Sequence, residues 1–362
     1  MYIADMHCDT IMKIWHSHRK GSPLSLSDTR GASEELMIDL GKLKAGGSLV
    51  QNFALFIDLG LPEDFDGDHG TGGILSSVAG EPGRLSPWTQ FNEMVRIYHD
   101  EIAANAGVIR EALSYKDIEE NRKNGLISSV LTIEEGGVLE GDVDRLQTLY
   151  DDGVRMMTLT WNYENELAYP NTPREESAQD FLQYFRFVPR TDNGLKEKGR
   201  EAVEIMQELG ILVDVSHLSD AGFYDVAEIV KGPFVASHSN ARSVCGCNRN
   251  MTDDMIRTIS EHGGVIGLNF CPVFVEEASR EEDCRMTVEL LANHARHMMN
   301  IGGRSVVGLG TDFDGIGKRS VEIEDASMMP KLVCGLERCG FTYDDIERIC
   351  YRNVLDVYKE VL

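Results

Sequence analysis

Five residues of metal-binding type stand where apolar runs of this sequence end. They are His7 and Asp9 in DMHCDT, Glu134 in LTIEEGG, His217 in VDVSH and His238 in VASHSN. Asp312, in GLGTDFDG, closes another such run. His7 and Asp9 are two apart, so on an extended segment they project to one face and can grip one ion, with Cys8 turned away as a buried free thiol. Three imidazoles and two carboxylates make a nitrogen and oxygen set suited to zinc, with manganese, iron or cobalt as alternatives. One ion would leave ligands unused. Two ions bridged by one carboxylate would use them all, and Glu134 is the natural bridge, being the only Glu of the set at the end of a run.

Each of these residues has a plainer reading. Glu135 is the rival to Glu134, and Glu140 reads as a loop carboxylate. His217 could cap a following helix, and His238 could be a hydrogen-bonded core histidine. Accepting all the plain readings together requires several coincidences. Other candidates carry less. His16 and His18 lie in a polar segment and read as solvated, and the spacing of His294 and His297 puts them on a helix surface. The stretch DFDGDHG at 64–70 lacks the Gly and Glu of a calcium loop at their required positions.

The elements that must position these groups alternate short apolar runs with longer amphipathic stretches, the α/β pattern. Eight strands are expected, at 2–7, 49–57, 128–134, 155–160, 211–217, 233–238, 263–269 and 305–312. Helices are expected at 195–209, stopped by Gly210, at 219–230, capped by Ser219, and at 252–261, capped by Thr252. Eight strands with helical crossovers fit a closed (β/α)8 TIM barrel of one domain over 1–362, in which all the strand ends carrying these residues open on one mouth. The Gly-rich acidic stretch 61–87 is expected to form a long loop over a mouth of the barrel.

Composition narrows the class. A formal charge of −25 disfavours nucleic acid and anionic membrane surfaces as partners, and it means that an anionic substrate needs a specific local cation. The eight cysteines form no CxxC pair and are expected to be free thiols. No stretch reads as a signal peptide or a membrane span, so a cytoplasmic location is expected.

With these motifs in place, the chain resembles the membrane dipeptidase (renal dipeptidase) family of zinc barrels. The resemblance runs nearly end to end, from DMHCDT through IEEGG, VDVSH, SHSNARSVCGCNRN and GLGTDFDG, in the family's order. It implies two zinc ions, one on His7 and Asp9, the other on His217 and His238, with Glu134 spanning both. It further implies that Arg249 holds the substrate carboxylate and that Asp312, with Asp314 as the nearby alternative, shuttles protons. The plain reading of Arg249 is a surface charge facing Asp253 and Asp254. One departure stands out: Tyr163, in LTWNYEN, falls where the family's histidine contacts the substrate carbonyl, and a phenol can donate that hydrogen bond without carrying imidazolium charge. The family's membrane anchor is not expected here, because the chain ends in DVYKEVL, and a homodimer is implied.

The expected reaction is metal-assisted hydrolysis of dipeptides, L-D dipeptides included. Asp312 would move the proton, Arg249 would clamp the carboxylate, and Tyr163 would face the oxyanion. Two other readings compete: an N-acyl-amino-acid deacylase on the same site, and a catalytically silent metal-binding homologue marked by Tyr163. A phosphotriesterase-like reaction is disfavoured because no lysine stands at a strand end.

Overall fold

The computed structural model of the protein describes residues 1–27, 35–60, 85–172 and 191–362, with 182, 185 and 186 besides. Its strands are β1 (Ile3–Asp5), β2 (Ser48–Phe56), β3 (Ile109–Glu111), β4 (Ile127–Glu134), β5 (Val154–Thr158), β6 (Leu212–Asp214), β7 (Ile266–Leu268) and β8 (Val307–Leu309). All pair in parallel; seven follow the order β6-β5-β4-β2-β1-β8-β7, and β3 pairs with β4 off that path. The ring is closed by two single bridges, Asp214 to Val235 and Ala236 to Ile266. The α/β barrel expected from the sequence is therefore present, with the expected sixth strand reduced to Val235 and Ala236.

That reduction has a packing cause. A Cβ placed on Gly267 or Gly310 would lie 1.9 or 1.7 Å from the carbonyl oxygen of Ser237. The segment thus presses against its neighbours where two glycines make room, and a regular ladder gives way to close backbone approach. The strand missed by the sequence reading is β3. It is three residues long, only Ile109 is buried, and it pairs with the first half of β4, so no apolar run announces it.

Most barrel strands also end earlier than expected. The candidate residues lie just past the ladders, where the backbone turns; His217 and Asp312 have positive φ (66° and 63°). Only Glu134 sits in a strand, as the last residue of β4. The helices are close to expectation. Glu197–Leu209 ends on Gly210 at φ 81°, Ser219 caps Asp220–Ile229, and Thr252 caps Asp253–Glu261. Ser219, not His217, does the capping.

The acidic stretch expected to cover a mouth of the barrel falls largely at 61–84, outside the described residues, as does the 64–70 stretch; Pro87 opens the helix Pro87–Ala104. All eight cysteines are free, and Cys8 is buried with its thiol on Asn52 O. No helix among the described residues is long and apolar enough to cross a membrane.

Candidate metal centre and active site

Backbone hydrogen bonds carry β1 and β8 side by side past their ends into the barrel mouth. Asp312 N–H donates to His7 O at 3.2 Å, and Asp9 N–H donates to Phe313 O at 2.9 Å. This register sets His7, Asp9 and Asp312 together. Asp9 occupies the N-cap position of the helix Thr10–Arg19 without capping it; its carboxylate turns instead to His7 Nε2, 3.4 Å away. Gly315 completes the close fit, since a Cβ there would lie 2.1 Å from Asp9 Oδ2 and 2.4 Å from Asp312 Oδ1.

Glu134 stands at the centre. Its Oε2 lies 3.5 Å from His7 Nε2, while its Oε1 lies 3.1 Å from His217 Nε2 and 3.5 Å from His238 Nε2. The two carboxylate oxygens therefore face two different sets of ligands. Glu135 points elsewhere, accepting from the backbone N–H groups of Gly137 and Trp161, both at 2.7 Å, and from Asn165 Nδ2.

The chemistry of these donors fits a bound cation. All five side chains are buried. Among the described residues His7 Nδ1 and Asp9 Oδ1 have no hydrogen-bond partner, a costly state for buried polar atoms. The groups His7–Glu134–His238 and His7–Asp9–Asp312 each bring three ligand atoms within 4.8 Å of one another. Burial pushes Glu134 up to about 8 and Asp312 up to about 7. Burial opposes a charge on His7, but the carboxylates of Glu134 and Asp9 hold its pKa well above the ordinary value. Burial, reinforced by neighbouring positive charge, holds His217 and His238 well below the ordinary histidine value, which favours the neutral ring a metal ligand needs.

Around this centre the remaining candidates take distinct places. Arg249 is buried, donates to Ser239 Oγ at 3.3 Å and His238 O at 3.2 Å, and lies over the Phe274 ring. Its Nε has no partner, and among the described residues no carboxylate pairs with it. The surface-charge reading of Arg249 is thus wrong; Asp253 instead holds His297 at 2.7 Å. Asp312 Oδ2 accepts from Asn269 Nδ2 at 3.0 Å. Asp314 is the structural partner: it accepts from Thr10 Oγ1 at 2.6 Å and from the backbone N–H groups of Met37 and Ile38, pinning the chain just before the helix Leu40–Gly46.

The whole sequence, residues 1–362, matches the family described as "Membrane dipeptidase (Peptidase family M19)". The chain belongs to that family. It is a metallo-dipeptidase of the hydrolase class by that membership. An uncharacterized protein in the pqqA 5′ region of Klebsiella pneumoniae is 33% identical over 286 residues, 79% of this chain and 99% of that one. An uncharacterized dipeptidase of Schizosaccharomyces pombe is 33% identical over 240 residues, 66% of this chain, and the match spans about half of that protein (54%). Two crystal structures share the fold at TM-score 0.82. One is of a metallo-peptidase described as dipeptidase AC (24% identity, 100% of this chain and 98% of that one). The other is of a Rhodobacter sphaeroides metallo-peptidase liganded with a phosphinate mimic of the dipeptide L-Ala-D-Ala (23% identity, 100% and 99%).

Within this metallo-dipeptidase chain, Tyr163 stands differently from the sequence expectation. Trp161 is the ring beside His217, at 6.0 Å between centroids, and it packs edge-on to Phe56 at 4.9 Å. Tyr163 packs on Trp161 at 5.1 Å between centroids, and its hydroxyl donates to Asp58 Oδ1 at 3.2 Å. A phenol has one proton, and here it is engaged away from the cluster. His294 also departs from expectation. It is buried, not on a surface, with its Nδ1 accepting from Ala241 N–H at 3.1 Å and its Nε2 at 2.9 Å from Val275 O. His297 is half-buried, and His18 is exposed as read.

The sequence reading passed over the groups that hold the ligands in place. Asn162 Oδ1 accepts from His217 Nδ1 at 2.9 Å, and Ser237 Oγ lies 2.7 Å from His238 Nδ1. Asp214 anchors Ser237, and Asn269 anchors Asp312. One signal was available: Asp214 interrupts the apolar run ILVDVSH, and a carboxylate inside a barrel strand must be buried and therefore partnered.

Proposed function

We propose that this chain is a dinuclear zinc dipeptidase, one barrel domain over 1–362, that hydrolyses the peptide bond of free dipeptides, L-D dipeptides among them. The observation that carries the reading is the division of Glu134, with Oε2 toward His7 and Oε1 toward His217 and His238. A carboxylate facing two ligand sets suits a bridge between two ions, with His7 and Asp9 on one side and His217 and His238 on the other. The L-D range is supported by the dipeptide mimic bound in the Rhodobacter sphaeroides relative.

When bound, divalent ions in such a cradle supply Lewis acidity toward a carbonyl oxygen and a water acidified to near neutral pH. The chain's own groups do the rest. Asn269 occupies one oxygen of Asp312, leaving Oδ1 to take the proton of the attacking water and pass it to the departing amine. Arg249, a buried cation without a carboxylate partner among the described residues, pairs with the free carboxylate of the substrate. That pairing requires a free carboxylate on the residue that follows the scissile bond, as in dipeptides and N-acyl amino acids. Trp161 packs beside His217, with Tyr163 against it.

The test is amino-acid release from L-L and L-D dipeptides, with N-acetyl amino acids in parallel, with and without a chelator. Chelator-sensitive cleavage of dipeptides is the expected result. Preference for N-acetyl amino acids would replace the reading with a deacylase, and zinc-loaded protein inert to the whole panel would replace it with a silent homologue.

A further inference from the structure

Asp214 closes β6, and its side chain is wholly buried. It accepts four hydrogen bonds: from the backbone N–H groups of Ser216 and Ser237, each at 2.9 Å, from Thr158 Oγ1 at 2.7 Å, and from Ser237 Oγ. A serine hydroxyl has one proton. Since Ser237 gives that proton to Asp214, its oxygen can only accept at the 2.7 Å contact with His238 Nδ1. His238 therefore carries its proton on Nδ1 and turns the Nε2 lone pair toward Glu134. Ser237 has little freedom to do otherwise, because its carbonyl is pressed against Gly267 and Gly310.

His217 is set by a different group. Its Nδ1–H donates to Asn162 Oδ1, a neutral amide. Among the described residues His7 has no partner at Nδ1. The three imidazoles of the cluster thus differ in what stands behind them: a carboxylate through a hydroxyl, an amide, and no hydrogen-bonding group.

We propose that Asp214, acting through Ser237, is a positioning residue of the metal centre, locking His238 in the only tautomer and ring orientation that can ligate, and so setting the affinity of one ion apart from the other. Without the hydroxyl, the Nδ1–H loses its acceptor, and the ring can move its proton to Nε2 or turn away. Either change removes a ligand. This inference rests on the two-ion reading for its asymmetry, but not for its tautomer.

The experiment is zinc titration of apo protein against a chromophoric chelator for wild type, Ser237→Ala and Ser237→Thr, with the Tm of each apo protein measured in parallel. Loss of such an outer hydrogen bond costs about 10–100-fold in metal affinity. Ser237→Ala is expected to lose that much at one equivalent and to keep the other, with a lower apo Tm from the lost hydrogen bond to Asp214, and Ser237→Thr, which keeps a hydroxyl, is expected to restore both. Wild-type affinity at both equivalents in Ser237→Ala overturns the proposal, as does equal weakening of both. A single equivalent in the wild type refutes the two-ion reading instead, and the Ser237 effect is then read on that one. If Ser237→Ala does not fold, ring ¹⁵N shifts of His238 in apo wild type decide: Nδ1–H supports the proposal and Nε2–H overturns it.

Discussion

The Nε2 atoms of His217 and His238 stand 2.9 Å apart, and each carries a lone pair. The Nδ1 protons are committed to Asn162 and Ser237, so no hydrogen bond can join the two facing nitrogens. Two buried lone pairs at that separation repel each other, and they do so beside Glu134 Oε1. A cation relieves all of these contacts at once.

Metal removal should therefore lower stability as well as activity. Any ligand of the folded state stabilises by mass action, about 2.7 kcal/mol at a concentration 100 times its Kd. Calorimetry of apo and zinc-loaded protein should show a higher Tm on loading, with two equivalents bound per chain. Equal Tm values would mean that the cluster does not need a cation.

Asp312→Asn should separate proton transfer from ligation. Asp312 Oδ1 is 4.0 Å from His7 Nε2, and Asn269 holds its other oxygen. An amide keeps the shape but cannot accept the proton, so kcat should fall by about 10²–10⁴-fold. Metal analysis should still find two ions. Loss of an ion instead would make Asp312 a ligand, in keeping with its grouping with His7 and Asp9.

Arg249→Ala should act mainly on KM. A hydrogen bond to a charged group is worth about 2 kcal/mol, so KM should rise roughly 30-fold or more. Arg249→Lys should recover only part, since a point charge replaces a planar fork. An unchanged KM would leave the substrate carboxylate without its partner and sink the clamp.

How much of this was legible beforehand depends on what each residue signals alone. Polar residues at the ends of apolar runs give themselves away, and so His7, Asp9, Glu134, His217, His238 and Asp312 were found with the barrel that gathers them. Glu135 stood as the rival to Glu134 because both follow one apolar run; a positive φ at Glu135 (95°) and its bonds to Gly137, Trp161 and Asn165 take it elsewhere. His294 was misplaced because helical spacing fixes neighbours on a face but not which face is buried. Asn162 and Ser237 are common polar residues whose role lies only in what they touch, and β3 is too short to show a period. The close approach of Ser237 to Gly267 and Gly310 is a three-strand relationship that no local window contains.

Tyr163→Phe tests the departure seen in the sequence. The phenol proton already serves Asp58, and the Tyr163 ring packs on Trp161. Removing the hydroxyl should leave kcat within about threefold of wild type, far from the roughly 10²–10³-fold lost with an oxyanion donor. A loss on that larger scale would restore Tyr163 as the donor to the tetrahedral oxygen.

His294 gives the fold a pH dependence that is separable from the metal centre. Burial lowers its pKa to about 4, and its accepting Nδ1 has no room for a second proton while Ala241 N–H donates to it. In the unfolded chain the same imidazole titrates near 6.5. Above that pH both states are neutral and His294 adds no slope. Between about 6.5 and 4 only the unfolded state takes the proton, so stability must fall as pH falls, by roughly 3 kcal/mol across the window. His294→Gln, which cannot titrate, should be less stable than wild type at pH 7.5 through its lost hydrogen bond, yet lose less on acidification. Urea unfolding of zinc-free protein at pH 7.5 and pH 5 should show the gap between the two proteins narrowing at the lower pH. A constant gap would mean that His294 is protonated in the folded protein, and that its contact with Ala241 opens to let the proton in.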